Sequence, residues 1–178
     1  MPVDPIACLR DRLDEAGGSL QIANRLDWPN QIVWPVDRSK IEHLYSALPA
    51  IEARGVGASA TSDHDLGSLD LCVASADFAV VENGAVWQRP TTARERAAML
   101  LANHLILVVE ASQLVATLHQ AYDRIGTTSP GFGWFLCGPS KTADIEQSLV
   151  LGAHGPCSMN LILLRDQAAP PVGPPVGK

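Results

Sequence analysis

Two apolar stretches, His104-Leu-Ile-Leu-Val-Val109 and Met159-Asn-Leu-Ile-Leu-Leu164, decide the fold. Short aliphatic runs of this kind are typical of strands inside a parallel sheet, where both faces are covered. Trp134-Phe-Leu-Cys137 predicts a further strand between them. Because segments long enough for crossover helices separate the three runs, we expect their strands to be parallel neighbours in one sheet. The predicted class is α/β, with a partly parallel sheet flanked by helices.

Five helices are predicted around this sheet, from residues that cap helix ends and from apolar residues spaced along one helix face. They are expected over residues 4–17, 39–51, 92–101, 114–126 and 142–151. Ser39 and Glu42 form the capping box at the second of these starts. Strands and helices alternate through the second half of the chain, which is the order that right-handed βαβ units produce.

A β-hairpin is predicted near residues 78–88, because Asn83-Gly84 lies between two short apolar runs. Gln31-Ile-Val-Trp34 predicts a short strand nearer the N-terminus. Residues 55–67 are mostly Gly, Ala, Ser, Thr and Asp, a composition that favours an exposed loop. Function is often located on such loops.

The length of 178 residues is typical of one domain, which we expect over residues 1–166. Residues 167–178 are rich in proline and have little apolar bulk, so this tail is expected to be extended or disordered. The formal net charge is −6. An acidic chain lacks the positive surface that gathers nucleic acid or anionic lipid, so neither is expected as a partner.

Four cysteines, Cys8, Cys72, Cys137 and Cys157, are spread along the sequence without a C-x-x-C pair. This spacing predicts reduced thiols and disfavours zinc and iron–sulfur sites. Asp63-His64-Asp65 has metal-ligand residue types, but adjacent residues rarely converge on one ion, so no metal is expected. The sequence shows neither a signal peptide nor the run of about 20 apolar residues that a membrane helix needs. A cytoplasmic protein is therefore expected.

The stretch Gly138-Pro-Ser-Lys-Thr-Ala-Asp-Ile-Glu146 lies where a predicted strand ends and a predicted helix begins. Backbone N–H groups at a helix start, together with the side chains of Ser140, Lys141 and Thr142, predict a site for a small anion. The spacing is not that of a Walker loop. The alternative is that Ser140 or Thr142 only caps the helix.

This stretch and the segment Leu151-Gly-Ala-His-Gly-Pro156 closely resemble the C-terminal signature of LUD-domain proteins, in the lactate-utilisation protein C (LutC/YkgG) family. Ala76-Asp-Phe-Ala-Val-Val-Glu-Asn-Gly84 is similar to the second motif of that family. The resemblance covers roughly residues 70–165. It implies an α/β fold of the NagB/RpiA/CoA-transferase-like type.

The resemblance also implies a role in the oxidation of L-lactate to pyruvate. The chain would be an accessory subunit beside partner proteins that hold iron–sulfur clusters, and would itself bind no cofactor. The missing cluster-ligand spacing agrees with this division of labour. Whether the chain is an enzyme is left open, because the family resemblance indicates a pathway more firmly than a reaction.

Glu82-Asn83-Gly84 resembles the Ser-Glu-Asn-Gly motif of CoA transferases, whose glutamate attacks an acyl-CoA. By this resemblance Glu82 would be the nucleophile of a stand-alone enzyme that depends on acyl-CoA or a nucleotide. Val81 replaces the serine, and no glycine-rich stretch supplies an oxyanion loop. The alternative is an ordinary Asn-Gly hairpin with Glu82 in the adjoining strand.

His154 is a second catalytic candidate, since an imidazole exchanges protons near neutral pH. A helix over residues 142–151 would place it about 13 Å from Ser140, at about 1.5 Å of rise per residue. The imidazole would then stabilise the negative end of that helix, or serve a neighbouring subunit in a homo-oligomer. The ligand-binding candidates from both motifs are Asn83, Gly84, Gly138, Pro139, Ser140, Lys141, Thr142 and Asp144.

Overall fold

The computed structural model describes residues 4–59, 63–126, 131–143, 149–152 and 154–166, so the tail over residues 167–178 lies outside it. The helices are α1 (Pro5–Glu15), α2 (Trp28–Gln31), α3 (Ala93–Leu101) and α4 (Leu118–Ile125). The strands are β1 (Ser19–Asn24), β2 (Leu44–Ser46), β3 (Leu71–Ser75), β4 (Phe78–Val80), β5 (Val86–Gln88), β6 (His104–Glu110), β7 (Leu114–Val115), β8 (Trp134–Leu136), β9 (Lys141–Ala143), β10 (Leu149–Leu151) and β11 (Ser158–Arg165). Within the described ranges, no helix combines the length and the apolar character that a membrane crossing requires.

The central sheet has five parallel strands in the order β1-β11-β6-β3-β2. The two apolar runs that decide the fold, β6 and β11, are direct neighbours, with His104 opposite Ser158. Every residue from 105 to 109 is buried. The α/β class with a parallel sheet flanked by helices is therefore confirmed, and so is the parallel pairing of these two strands.

Both faces of this sheet are covered, which explains why its central strands are apolar without interruption. On one face Leu107 of β6 packs in a cluster with Leu13 of α1 and Met99 of α3. On the other face Ile106 packs in a cluster with Trp28 of α2. Successive side chains of a strand point to opposite faces, so β6 contributes to both clusters.

A second sheet of four strands, in the order β7-β4-β5-β8, contains the predicted hairpin. β4 and β5 pair antiparallel across the Asn83-Gly84 turn, with Phe78 opposite Trp87. β8 pairs antiparallel with β5. The prediction that β8 is a parallel neighbour of β6 and β11 is therefore wrong. Its aromatic side chains explain the placement, because the ring of Phe135 lies 4.7 Å from that of Trp87, between centroids.

The segment between β1 and β3 contradicts two predictions. The strand expected at residues 31–34 is absent: α2 ends at Gln31, and residues 32–34 form neither helix nor strand. The helix expected over residues 39–51 is absent, and a 3-10 turn followed by β2 takes its place. The apolar spacing was helical, but the carboxylate of Asp70 accepts the N–H groups of Glu42 and His43 and holds this backbone extended beside β3. Local spacing carries no signal of such a long-range contact.

The structure also contradicts both ends of the helix expected over residues 142–151, and residues 144–148 lie outside the described part of the chain. Residues 141–143 form β9, which pairs antiparallel with β10, and Thr142 lies opposite Val150. Neither Ser140 nor Thr142 begins a helix. The helix start that both interpretations assumed, the anion site and the simple helix cap, is therefore wrong, and the anion site itself stays a prediction.

The helix expected over residues 114–126 is shorter than predicted. Leu114 and Val115 form β7 instead, in parallel pairing with β4. α4 begins after Thr117, whose side chain accepts the N–H of Gln120 as a helix cap. Its end at Gly126 was predicted correctly, and that glycine has a φ of 67°.

The half-buried His104 gives the central sheet a predictable pH dependence. Its Nδ1 lies 2.8 Å from Oγ of Ser158 on the neighbouring strand. Burial lowers the pKa of His104, and the nearby carboxylate of Asp70 opposes this shift only in part. In the unfolded chain the pKa is about 6.5, so the unfolded state binds the proton first as the pH falls. The stability conferred by the neutral imidazole should be lost below that pH.

Urea unfolding of wild-type and His104→Gln protein at about pH 7.5 and about pH 5.5 tests this expectation. The decrease in the free energy of unfolding between the two pH values should be smaller in the variant. His119→Gln removes an imidazole from the exposed side of α4 and is the matched control. An equal decrease in the wild type and His104→Gln would contradict the assignment.

Candidate functional site

The loops of the C-terminal motif enclose a cavity of about 260 Å³, here called the motif pocket. Its rim is formed by two backbone segments, residues 137–140 and 154–156. Its wall includes apolar side chains from the end of α3 and from the strands beside it. These are Met99, Leu100, Leu105, Phe135 and Leu136.

Hydrogen bonds hold the two rim segments against each other. The N–H of Ser140 donates to the carbonyl of Pro156 at 2.9 Å, and the N–H of Gly152 donates to the carbonyl of Ser140 at 3.0 Å. Ser140 and His154 therefore line one pocket. The expected separation of these two residues by a helix is wrong, because residues 141–143 and 149–151 form an antiparallel strand pair.

Gly138 fixes this loop to the end of α1. Its φ is +73°, and a Cβ atom on it would lie 2.5 Å from the carbonyl oxygen of Ala16. Both the left-handed backbone and the close approach require a residue without a side chain. The motif glycine therefore allows the rim of the pocket to pack closely against the C-terminal end of α1.

Lys141 also contacts the end of α1. A Cβ atom on Gly17 would lie only 3.1 Å from Nζ of Lys141, which puts the ammonium group at the C-terminal end of that helix. The carbonyl groups there carry partial negative charge, and a cation stabilises them. The charge of Lys141, predicted as an anion ligand, is thus placed where it stabilises a helix.

The Glu82–Gly84 turn lies on the second sheet. Oε2 of Glu82 accepts the N–H of Leu118, the first residue of α4, at 2.8 Å. Oδ1 of Asn83 accepts the N–H of Ala85 at 3.0 Å, which closes the turn. Gly84 has a φ of +73° and packs on the backbone of α1. These contacts give all three residues structural tasks, and their predicted ligand or catalytic roles stay predictions.

Cys137, which is not among the sequence-based candidates, connects the two motifs. Its Sγ donates a hydrogen bond to the carbonyl of Asn83 at 3.2 Å. Burial raises the pKa of the Cys137 thiol, and the charge of Lys141 opposes the shift only in part. The thiol is therefore protonated near neutral pH and acts as a donor. Its position directly before Gly138 is the one sequence signal that could have indicated it.

The arrangement fits a small ligand with an apolar body and a polar end. The wall is aliphatic and aromatic, while Ser140 and His154 supply polar side chains at the rim. Of the remaining candidates, Pro139 is buried beside the pocket and Thr142 lies in β9. Asp144 falls outside the described residues.

The sequence model of the LUD domain matches residues 35–164, which include both motifs and most of the central sheet. A solved structure with this fold is a DUF162 family protein from Deinococcus radiodurans, with a TM-score of 0.67 and 17% sequence identity. The match covers 92% of this chain and 100% of that one. At this identity the likeness concerns the fold alone.

Curated relatives carry the name lactate utilization protein C. One from an Exiguobacterium species is 34% identical over 103 residues, which are 54% of this chain and 45% of the relative. One from Bacillus subtilis is 29% identical over 175 residues, which are 94% of this chain and 62% of the relative. In the first of these matches the chain spans about half the length of the relative.

Proposed function

The chain belongs to the LUD domain family, and on that premise we propose that it acts in the oxidation of L-lactate to pyruvate. The observation that carries the proposal is the family match over residues 35–164, together with relatives named for lactate utilization. The chain is an accessory subunit in this proposal. It acts in the cytoplasm, where thiols such as its four unpaired cysteines stay reduced.

Iron–sulfur proteins are the proposed partners. Conversion of lactate to pyruvate releases two electrons, and clusters held by partner proteins would accept them. The sequence has no C-x-x-C pair that would indicate a cluster of its own. The task of this chain is then to bind a small anion within the assembly.

The proposed binding site is the motif pocket, at the Gly138–Thr142 loop. A cavity of about 260 Å³ accommodates a hydroxy- or keto-carboxylate, with the methyl group toward Leu100 and Phe135. Ser140 and His154 supply hydrogen bonds to the polar end at the rim. The helix start that was predicted at this loop is not part of the proposed site.

Deletion of the gene in its source bacterium tests the proposal. Growth with L-lactate as the sole carbon source should slow or stop, while growth on glucose continues. A plasmid copy of the wild-type gene should restore growth on L-lactate. Unchanged growth of the deletion strain on L-lactate would contradict a role in lactate oxidation.

Glu82→Gln separates the accessory subunit from the stand-alone enzyme. Glutamine keeps an oxygen that can accept the N–H of Leu118, so the fold should be retained. A copy with this change should restore growth as well as the wild type does. Loss of growth with a folded variant, and a CoA adduct on Glu82 of the wild type by mass spectrometry, would favour the nucleophile instead.

A further inference from the structure

A second and larger cavity, of about 530 Å³, lies at the first turn of α3. It is called here the arginine cleft, because Arg89 and Arg96 line it, together with Asp77, Thr91 and Phe132. Its size is within the range of about 300–1,000 Å³ that small-molecule sites occupy. None of the functional candidates from the sequence lines it.

The guanidinium group of Arg96 makes a cation–π contact with an aromatic ring. Its guanidinium carbon lies 5.7 Å from the centroid of Phe132, a ring that is 54% exposed. A cation–π contact of this kind favours one position of the guanidinium and leaves its N–H groups available to an oxyanion. Arg96 is thus a positioned donor on the wall of a cavity.

Arg89 lines both the arginine cleft and a smaller neighbouring cavity of about 150 Å³. Its Nε lies 2.5 Å from the carboxylate of Asp77, and both residues line both cavities. Arg124 lines the far side of the smaller cavity, with its guanidinium carbon 4.9 Å from the centroid of Phe78. Among the described residues, three arginines and one aspartate therefore line these two neighbouring cavities.

This excess of positive charge is local, since the chain as a whole carries a net charge of −6. Two arginines outside the cleft serve the fold. Arg25 pairs with two carboxylates, those of Glu110 and Asp166. Arg94 donates to the backbone carbonyls of Val56 and Ser59. A cluster of cations at a cavity in an acidic protein is most simply explained by an anionic ligand.

We propose that the arginine cleft binds a phosphate-bearing ligand, with its phosphate between Arg89 and Arg96. A phosphate offers oxygens to more than one guanidinium at once, and the volume exceeds what a small carboxylate fills. Arg96 and Leu100 are four residues apart on α3 and share one face, which places the motif pocket about one helical turn away. The inference does not depend on lactate as the substrate.

Calorimetric titration with inorganic pyrophosphate at constant ionic strength tests the site. The wild type should bind it with a Kd below about 1 mM. Arg96→Gln should weaken binding by about tenfold to a hundredfold, the effect of a lost hydrogen bond between charged groups. Arg10→Gln removes an exposed arginine of α1 and the same unit of charge, and should change the Kd by less than about twofold.

A variant with the opposite expected effect on binding distinguishes the loss of a ligand contact from damage to the fold. Asp77→Asn removes the one carboxylate in the described lining of the cleft and should tighten pyrophosphate binding severalfold, which a damaged fold cannot do. L-Lactate is the second titrant, and Arg96→Gln should leave its binding unchanged. No saturable pyrophosphate binding by the wild type, or equal losses in Arg96→Gln and Arg10→Gln, would overturn the proposal. The growth test of lactate oxidation stays independent of either result.

Discussion

Replacing Leu107 with alanine is expected to lower the free energy of unfolding by about 2–5 kcal/mol. Leu107 is 0% exposed and lies on β6, which has a neighbouring strand on each side. Its side chain packs between the sheet and the layer formed by α1 and α3. Truncation removes buried methyl groups and leaves a cavity that rigid neighbours cannot fill, so both costs apply.

The matched control is Leu26→Ala, which makes the same chemical change at a side chain that is 91% exposed. It should change stability by no more than about 0.5 kcal/mol. Urea unfolding followed by circular dichroism measures both variants. If Leu107→Ala and Leu26→Ala lowered the free energy of unfolding equally, β6 would not be the centre of the core.

Gly138→Ala is expected to affect both stability and the motif pocket. An alanine in the left-handed conformation costs about 1–2 kcal/mol. The contact of 2.5 Å between the new Cβ and the Ala16 carbonyl must also be relieved by movement of the loop or of α1, at a further cost of about 1–3 kcal/mol. Since this loop forms the rim, binding of L-lactate or pyruvate should weaken as well.

Gly126→Ala separates the cost of the left-handed backbone from the cost of the steric contact with Ala16. Gly126 has a φ of +67°, but a Cβ atom on it would meet no atom of the described residues within 4 Å. This control therefore carries the backbone cost without the steric contact and lies at the end of α4. We expect it to be destabilised less than Gly138→Ala and to bind ligand like the wild type. Equal effects of the two substitutions would show that the approach to Ala16 has no consequence.

Much of the fold could be predicted from the sequence because its signals are local. The continuous apolar runs of β6 and β11 indicated buried parallel strands, and the Asn83-Gly84 turn indicated the hairpin. The segments that were mispredicted are fixed by distant partners. The backbone directly before β2 is held by the carboxylate of Asp70, and β8 packs on β5 through aromatic contacts. Propensity has no access to such contacts.

The candidate site was predictable in its residues more than in its geometry. The motifs indicated Gly138, Ser140 and His154, which line one pocket. The strand pair that brings Ser140 and His154 together could not be predicted. The apolar residues between Thr142 and Leu151 have helical spacing, which favoured a helix. The arginine cleft was also hidden, since Arg89 and Arg96 converge only through the fold.

The most direct test of the motif pocket as the ligand site is a titration of isotope-labelled protein with L-lactate and with pyruvate, followed by amide NMR. We expect saturable shifts concentrated at Gly138, Ser140 and Gly155, whose backbone forms the rim. The same titration of Gly138→Ala should require a higher ligand concentration. Shifts that never saturate, or that concentrate away from this rim, would contradict the assignment of the pocket.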